Sequence, residues 1–215
     1  MNHPGIHAAM MSDDEVIEKV LSGDRSVFEI LIRRYNAVLY RIGRMHGLSH
    51  HDTEDVIQEA HIAAFIQLRQ FEHRSSYKTW LSRIMVNKCV YKMKYGYSKN
   101  ETPVEHTPEN SSVNGERNML NRELSIILEK SLEQLPIIYR SVFVLREVEG
   151  FSVASTAELL GITAINVKVR LNRAKALLQK QLEHFYSHAD IYSFNLIYCD
   201  ELTKKTLHAI CRVSV

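Results

Sequence analysis

Apolar residues recur at three- and four-residue intervals in one segment after another, the spacing of amphipathic helices. Ser12-Asp13-Asp14-Glu15 is a capping box, in which a serine hydroxyl and a glutamate carboxylate satisfy free amides at a helix start. Val16, Ile17, Val20 and Leu21 follow, and Gly23 stops the helix. Asp24 caps a second helix with Phe28, Leu31, Tyr35, Leu39 and Ile42 on one face, up to Gly47. A third is predicted to begin at Asp52 or Thr53 and to bury Val56, Ala60, Ala64 and Leu68. A fourth runs from about Ser75 to Tyr95 with Trp80, Leu81, Ile84 and Met85 on its apolar side. No stretch here alternates with period two, so residues 12–96 are expected to form an all-helical bundle.

From 97 to 122 the pattern stops. Ser, Asn, Thr, Glu, Pro and Gly dominate, too few apolar side chains to offset the entropy of ordering, and the segment reads as a flexible linker. Its 26 residues would relax to roughly 25–30 Å and extend to about 90 Å. Helical spacing resumes near Glu123, with Leu124, Leu128, Leu132 and Leu135 before Pro136, then Ile138, Val142, Leu145 and Val148 before Gly150. Ser152 to Leu160, a turn at Gly161, and Thr163 to about Glu183 give two helices joined by a tight turn, the helix-turn-helix layout. The expected fold is all-α: two helical domains, 12–96 and 123–185, joined by the linker 97–122 and followed by an extension, 186–215. Composition agrees, since only 8 Gly and 4 Pro occur in 215 residues, about half the ordinary usage.

Net charge is only +2, so the arrangement of charge matters more than its sum. Between Gly161 and Leu182 lie Lys168, Arg170, Arg173, Lys175 and Lys180 and no carboxylate. Val167, Leu171, Ala174 and Leu178 form the stripe to be buried, leaving a wholly cationic polar surface. On the second helix of a helix-turn-helix that suits the DNA major groove; the charge run alone equally describes a solvated helix face. From Arg69 to Asn100 eight cations face one acid, Glu72, with Tyr77, Trp80, Tyr91, Tyr95 and Tyr97 among them. Cations track a phosphate backbone while rings stack on unpaired bases, although Trp80, beside Leu81 and Ile84, also fits a core position. Upstream, Asp52, Glu54, Asp55 and Glu59 form an acidic cluster, of which Glu59 lies beyond the first turn, where capping explains it less well.

These residues resemble an RNA polymerase sigma factor of the extracytoplasmic-function (ECF) group. Asp52-Thr53-Glu54-Asp55-Val56-Ile57-Gln58-Glu59-Ala60 is similar to the acidic segment of region 2. Phe71, Lys78-Thr79-Trp80-Leu81, Ile84 and Asn87 resemble the segment that melts the −10 element. Leu132-Glu133-Gln134-Leu135-Pro136, Arg140, Val142-Phe143-Val144-Leu145 and Ser155 to Leu178 resemble region 4, which reads the −35 element. The resemblance implies that Asp52, Glu54, Asp55, Gln58 and Glu59 bind core polymerase, through the β′ clamp, with further contacts to the β subunit. Lys78, Trp80, Arg83, Asn87, Lys88, Tyr91 and Lys92 would hold the melted −10 strand, and Thr163, Asn166, Lys168, Arg170, Arg173 and Lys175 the −35 duplex. Departures are His61 for an aromatic residue, Tyr91 and Lys94 for an acid and an arginine, and Ser155-Thr156-Ala157 for acid-aliphatic-alanine. Phe194 and Cys199-Asp200 resemble a C-terminal extension of some members, and Leu202, Leu207 and Ile210 suggest a short amphipathic helix there.

The implied activity is recruitment without bond chemistry: no phosphate-binding Gly motif is present and no cofactor is called for. An anti-sigma factor is expected as a further partner from the resemblance alone. Three scattered cysteines, no export signal and no apolar run near the roughly 20 residues of a membrane span predict a cytoplasmic protein without membrane insertion. Two other classes fit some of the residues. A helix-turn-helix regulator acting without polymerase would share the second domain, and a metal sensor could use His184, His188, Cys199 and Cys211, whose spacing is unlike compact zinc sites.

Overall fold

The computed structural model describes residues 11–95, 126–182 and 205–206. The linker 97–122 and His184, His188, Phe194, Cys199, Leu202, Leu207, Ile210 and Cys211 lie outside the described residues. Every regular element among the described residues is helical.

The N-terminal body consists of α1 (Asp13–Leu21), a 3₁₀ turn (Arg25–Val27), α2 (Phe28–Met45), α3 (His50–Ile66) and α4 (Tyr77–Tyr95). The capping box forms as the sequence predicts: Ser12 Oγ accepts from Glu15 N–H, and Glu15 accepts from Ser12 N–H at 2.6 Å. Asp13 pins α1 to α2 by accepting from Tyr35 Oη and from Arg34 at 2.5 Å. Helix α3 begins earlier than Asp52, because Ser49 is its cap and accepts from Asp52 N–H at 3.0 Å. The core runs through Ile17, Leu31, Leu39, Ile42, Val56, Ala60, Leu81 and Met85. Trp80 packs at 5.2 Å from Phe71 and 5.6 Å from Tyr77, within an aromatic cluster at the head of α4. His61, the departure noted in the sequence, sits in an aromatic slot, edge-on to Phe28 at 6.4 Å. Its Nε2 lies 3.0 Å from Asn36 Oδ1, which makes Nε2 the protonated nitrogen.

The C-terminal body contains a helical stretch over 126–134 (α5), α6 (Ile137–Phe143) continued by one π-helical turn (Val144–Val148), α7 (Val153–Leu160) and α8 (Ala164–Leu182). The π-turn changes the buried stripe. Val144 and Leu145 both face inward and Val148 is 46% exposed, whereas an uninterrupted α-helix would have buried Val148 with Leu145. Ser152 caps α7 by accepting from Ser155 N–H, and Gly161 ends it at φ +62°, where a Cβ would be strained.

The two bodies share one continuous core, because Val144, Leu145, Phe151 and Leu159 join the N-terminal cluster. Glu149 seals the contact. Its carboxylate, 2% exposed, accepts from Arg41 Nε and lies 3.4 Å from Lys78 Nζ, which also donates to the Glu149 carbonyl at 2.7 Å and sits over the Phe151 ring. Arg44 reaches Glu133 at 2.7 Å, and Arg83 pairs with Glu158.

Helices α2 and α3 approach closely at Gly43. A Cβ there would lie 2.5 Å from Thr53 Cγ2, and Thr53 cannot swing away because its hydroxyl donates to the Ser49 carbonyl at 2.7 Å. Gly43→Ala is therefore expected to lower unfolding free energy by about 1–3 kcal/mol, and Gly43→Ala with Thr53→Ser to recover much of it, measured by urea denaturation. Burial pushes the His61 imidazole down to about 4, and burial with the Arg140 charge does the same to His46. Depressed folded values mean that the unfolded chain binds protons first as pH falls. Stability should be complete above pH about 6.5 and decline toward pH 4, by about 1 kcal/mol per pH unit for each histidine. Denaturation series at stepped pH should show this slope, and His61→Phe should flatten it.

Candidate polymerase and nucleic-acid interfaces

The acidic segment of α3 is divided between two faces. Asp52, Asp55 and Glu59 point toward α4: Lys92 Nζ stands 2.5 Å from Asp52 and 3.4 Å from Asp55, and Lys88 Nζ 3.0 Å from Glu59. The Lys92 hydrogen bond, opposed by partial burial and reinforced by Ser49, holds the Asp52 carboxyl below its ordinary value. Partial burial acts to lower Lys92, but Asp52 and Asp55 outweigh it and hold the amine above its ordinary value. Glu54 and Gln58 lie on the other face, with Ile57, His61 and Ile62, opposite Ile32, Asn36, Tyr40 and Arg41 of α2. The result is an open groove with an apolar lip, where Ile62 is 53% and Ile66 72% exposed.

On α4 the seven strand-capture candidates also go separate ways. Lys78 and Arg83 are engaged by Glu149 and Glu158 of the C-terminal body. Trp80 is partly buried, and Lys88 and Lys92 bridge to α3. Asn87 and Tyr91 are exposed, with Tyr91 stacked at 4.8 Å on Tyr95.

Helix α8 buries Val167, Ala174 and Leu178, as the sequence stripe predicts, with Leu171 half-buried. The Thr163 hydroxyl accepts from Asn166 N–H at 3.2 Å, a cap position. Arg170 is half-buried in an apolar cleft between the bodies, beside His46, Val90 and Ile138. Arg173 donates to Tyr139 Oη at 3.4 Å, and Lys175 lies 3.0 Å from Glu147. Asn166 and Lys168 are solvent-exposed. So are Ile165, Val169, Asn172 and Ala176, which form the ridge opposite the buried stripe and which the sequence reading left out. Their signal was present: at 3.6 residues per turn they fall diametrically across from Val167, Ala174 and Leu178.

Among the described residues no helix is long and apolar enough to cross a membrane, and no three His, Cys, Asp or Glu side chains group as metal ligands would.

Comparison with known proteins matches these two bodies separately. Residues 31–95 fit the family model for Sigma-70 region 2, and residues 125–178 that for Sigma-70 region 4. The ECF RNA polymerase sigma-E factor of Haemophilus influenzae is 30% identical over 187 residues, covering 82% of this chain and 98% of that protein. The ECF sigma factor SigM of Mycobacterium tuberculosis is 28% identical over 180 residues, covering 84% and 89%. Among solved structures, CnrH in complex with the cytosolic domain of CnrY superposes with a TM-score of 0.55 at 26% identity, over 79% of this chain and 96% of that one. The fold is also that of the sigma factor RpoE from Bartonella quintana, crystallised with the anti-sigma factor NepR, at TM-score 0.56, 22% identity and coverage of 73% and 96%. An all-helical pair of bodies, the second ending in a helix-turn-helix, thus coincides with regions 2 and 4 in order, and the chain belongs to the ECF group of RNA polymerase sigma factors.

Proposed function

We propose that this sigma factor acts in the cytoplasm by docking residues 12–96 on core polymerase, reading the −35 duplex with residues 123–185, and holding the melted −10 strand on α4. The observation that carries the DNA assignment is α8: the second helix of a helix-turn-helix, free of carboxylates, with an exposed side flanked by Asn166 and Arg173 on one edge and Lys168 and Lys175 on the other. Such an arrangement suits a helix lying between two phosphate walls.

Polymerase docking falls to the α2–α3 groove, where Glu54 and Gln58 offer polar contacts to the β′ clamp beside the apolar lip of Ile62 and Ile66. Asp52, Asp55 and Glu59 support that surface by tying α3 to α4, and contacts with the β subunit complete the docking. On α4, Asn87 and the Tyr91–Tyr95 stack are accessible to an unpaired base, and Lys78, Arg83, Lys88 and Lys92 supply charge for its phosphates. Capture of a flipped base favours the open duplex by mass action, without nucleotide hydrolysis. An anti-sigma factor is a further partner in this reading, and the linker 97–122 would extend as the two bodies reach separate promoter elements.

Reconstitution with core polymerase on a genomic promoter library should give transcripts that depend on the added chain; none, from a chain that still binds duplex DNA, would favour a regulator acting without polymerase. Lys168→Ala should reduce duplex affinity about fivefold and lower the salt slope by about one, read by fluorescence anisotropy at several salt concentrations. Ile62→Asp, at an exposed position, should weaken association with core polymerase tenfold or more at unchanged Tm, measured by competition against the unmodified chain.

A further inference from the structure

The outer ridge of α8 differs from its flanks. Ile165 is 74% and Val169 43% exposed, one turn apart, and Asn172 and Ala176 continue the line. A lone exposed apolar residue is ordinary; an apolar ridge centred between two cationic edges on a duplex-reading helix is not. When phosphates engage the edges, the ridge faces the floor of the major groove, where the apolar group on offer is the thymine 5-methyl, and the amide matching Asn172 is the adenine N6/N7 pair. We infer that Ile165 and Val169 are specificity-determining residues that read thymine methyls, with Asn172 on adenine, so that the −35 site of this protein carries A·T pairs under the first three turns of α8. This rests on the duplex-reading assignment above.

The test is chemical. Duplexes selected by the full chain from a randomised pool are resynthesised with deoxyuridine replacing thymidine one position at a time, which removes only the methyl. At one or two positions the unmodified chain should lose about fourfold in affinity, as expected for one buried methyl. Val169→Ala or Ile165→Ala should lower affinity for the thymidine duplex and be indifferent to the same replacement. Indifference of the unmodified chain to every replacement, or a selected site without thymine, would overturn the inference. Failure to enrich any duplex would instead overturn the duplex-reading assignment.

Discussion

A carboxylate removed from water has to be paired or neutralised, and Glu149 is the place in this molecule where that demand is most severe. Its two partners come from different helices of the other body, Arg41 on α2 and Lys78 on α4, so satisfying one buried charge fixes the C-terminal body against both. In the peripheral pairs, Arg44 with Glu133 and Arg83 with Glu158, the carboxylates stay in contact with water, and the demand for a partner is weaker. The apolar cluster adds area, but area alone does not choose an orientation; Glu149 does.

Inside the N-terminal body, charge does the opposite work. The pairs between Lys88 or Lys92 and the acids of α3 are partly solvated, and pairs of that kind are worth between nothing and about 1 kcal/mol. They keep α3 and α4 in register at little cost to exchange. A polyanion approaching α4 meets cations whose present partners release them cheaply along this edge and dearly at Glu149. One helix thus carries two grades of cation, distinguished by the burial of the carboxylate each one meets.

Much of the architecture was legible in the chain. Helical spacing located the helices of both bodies, and Ser12, Ser152 and Gly161 marked ends that the structure keeps, while Asp24 caps the 3₁₀ turn that leads into α2 rather than α2 itself. Misplacements have physical causes. The start of α3 was expected at Asp52 or Thr53 because carboxylates advertise a first turn, while Ser49, seven residues before the next apolar position at Val56, makes the actual cap. At the candidate sites, residue type was legible and direction was not. A list of acids on α3 does not tell which look toward α4 and which toward the groove, since that depends on how α2 and α4 flank the helix. Glu149 was passed over because nothing local distinguishes a glutamate before Gly150 from a solvated turn residue; its importance arises from helices more than seventy residues distant in sequence. Ile165 and Val169 were missed because an apolar residue in a helix is first assigned to the core.

The π-turn at Val144–Val148 puts a phase step in the chain. It closes with the Glu149 amide donating to the Val144 carbonyl at 2.9 Å, a five-residue span. One residue more than an α-helix would use is taken up there, so a helical wheel drawn through α6 falls out of step by about 100° beyond it. Everything downstream inherits that offset, including the azimuth at which the helix-turn-helix leaves the body. The stretch from Pro136 to Gly150 therefore works as a vernier, in which chain length rather than side-chain identity sets the aim of α8, and a single residue added or lost between them would rotate that aim without altering any residue of α8 itself.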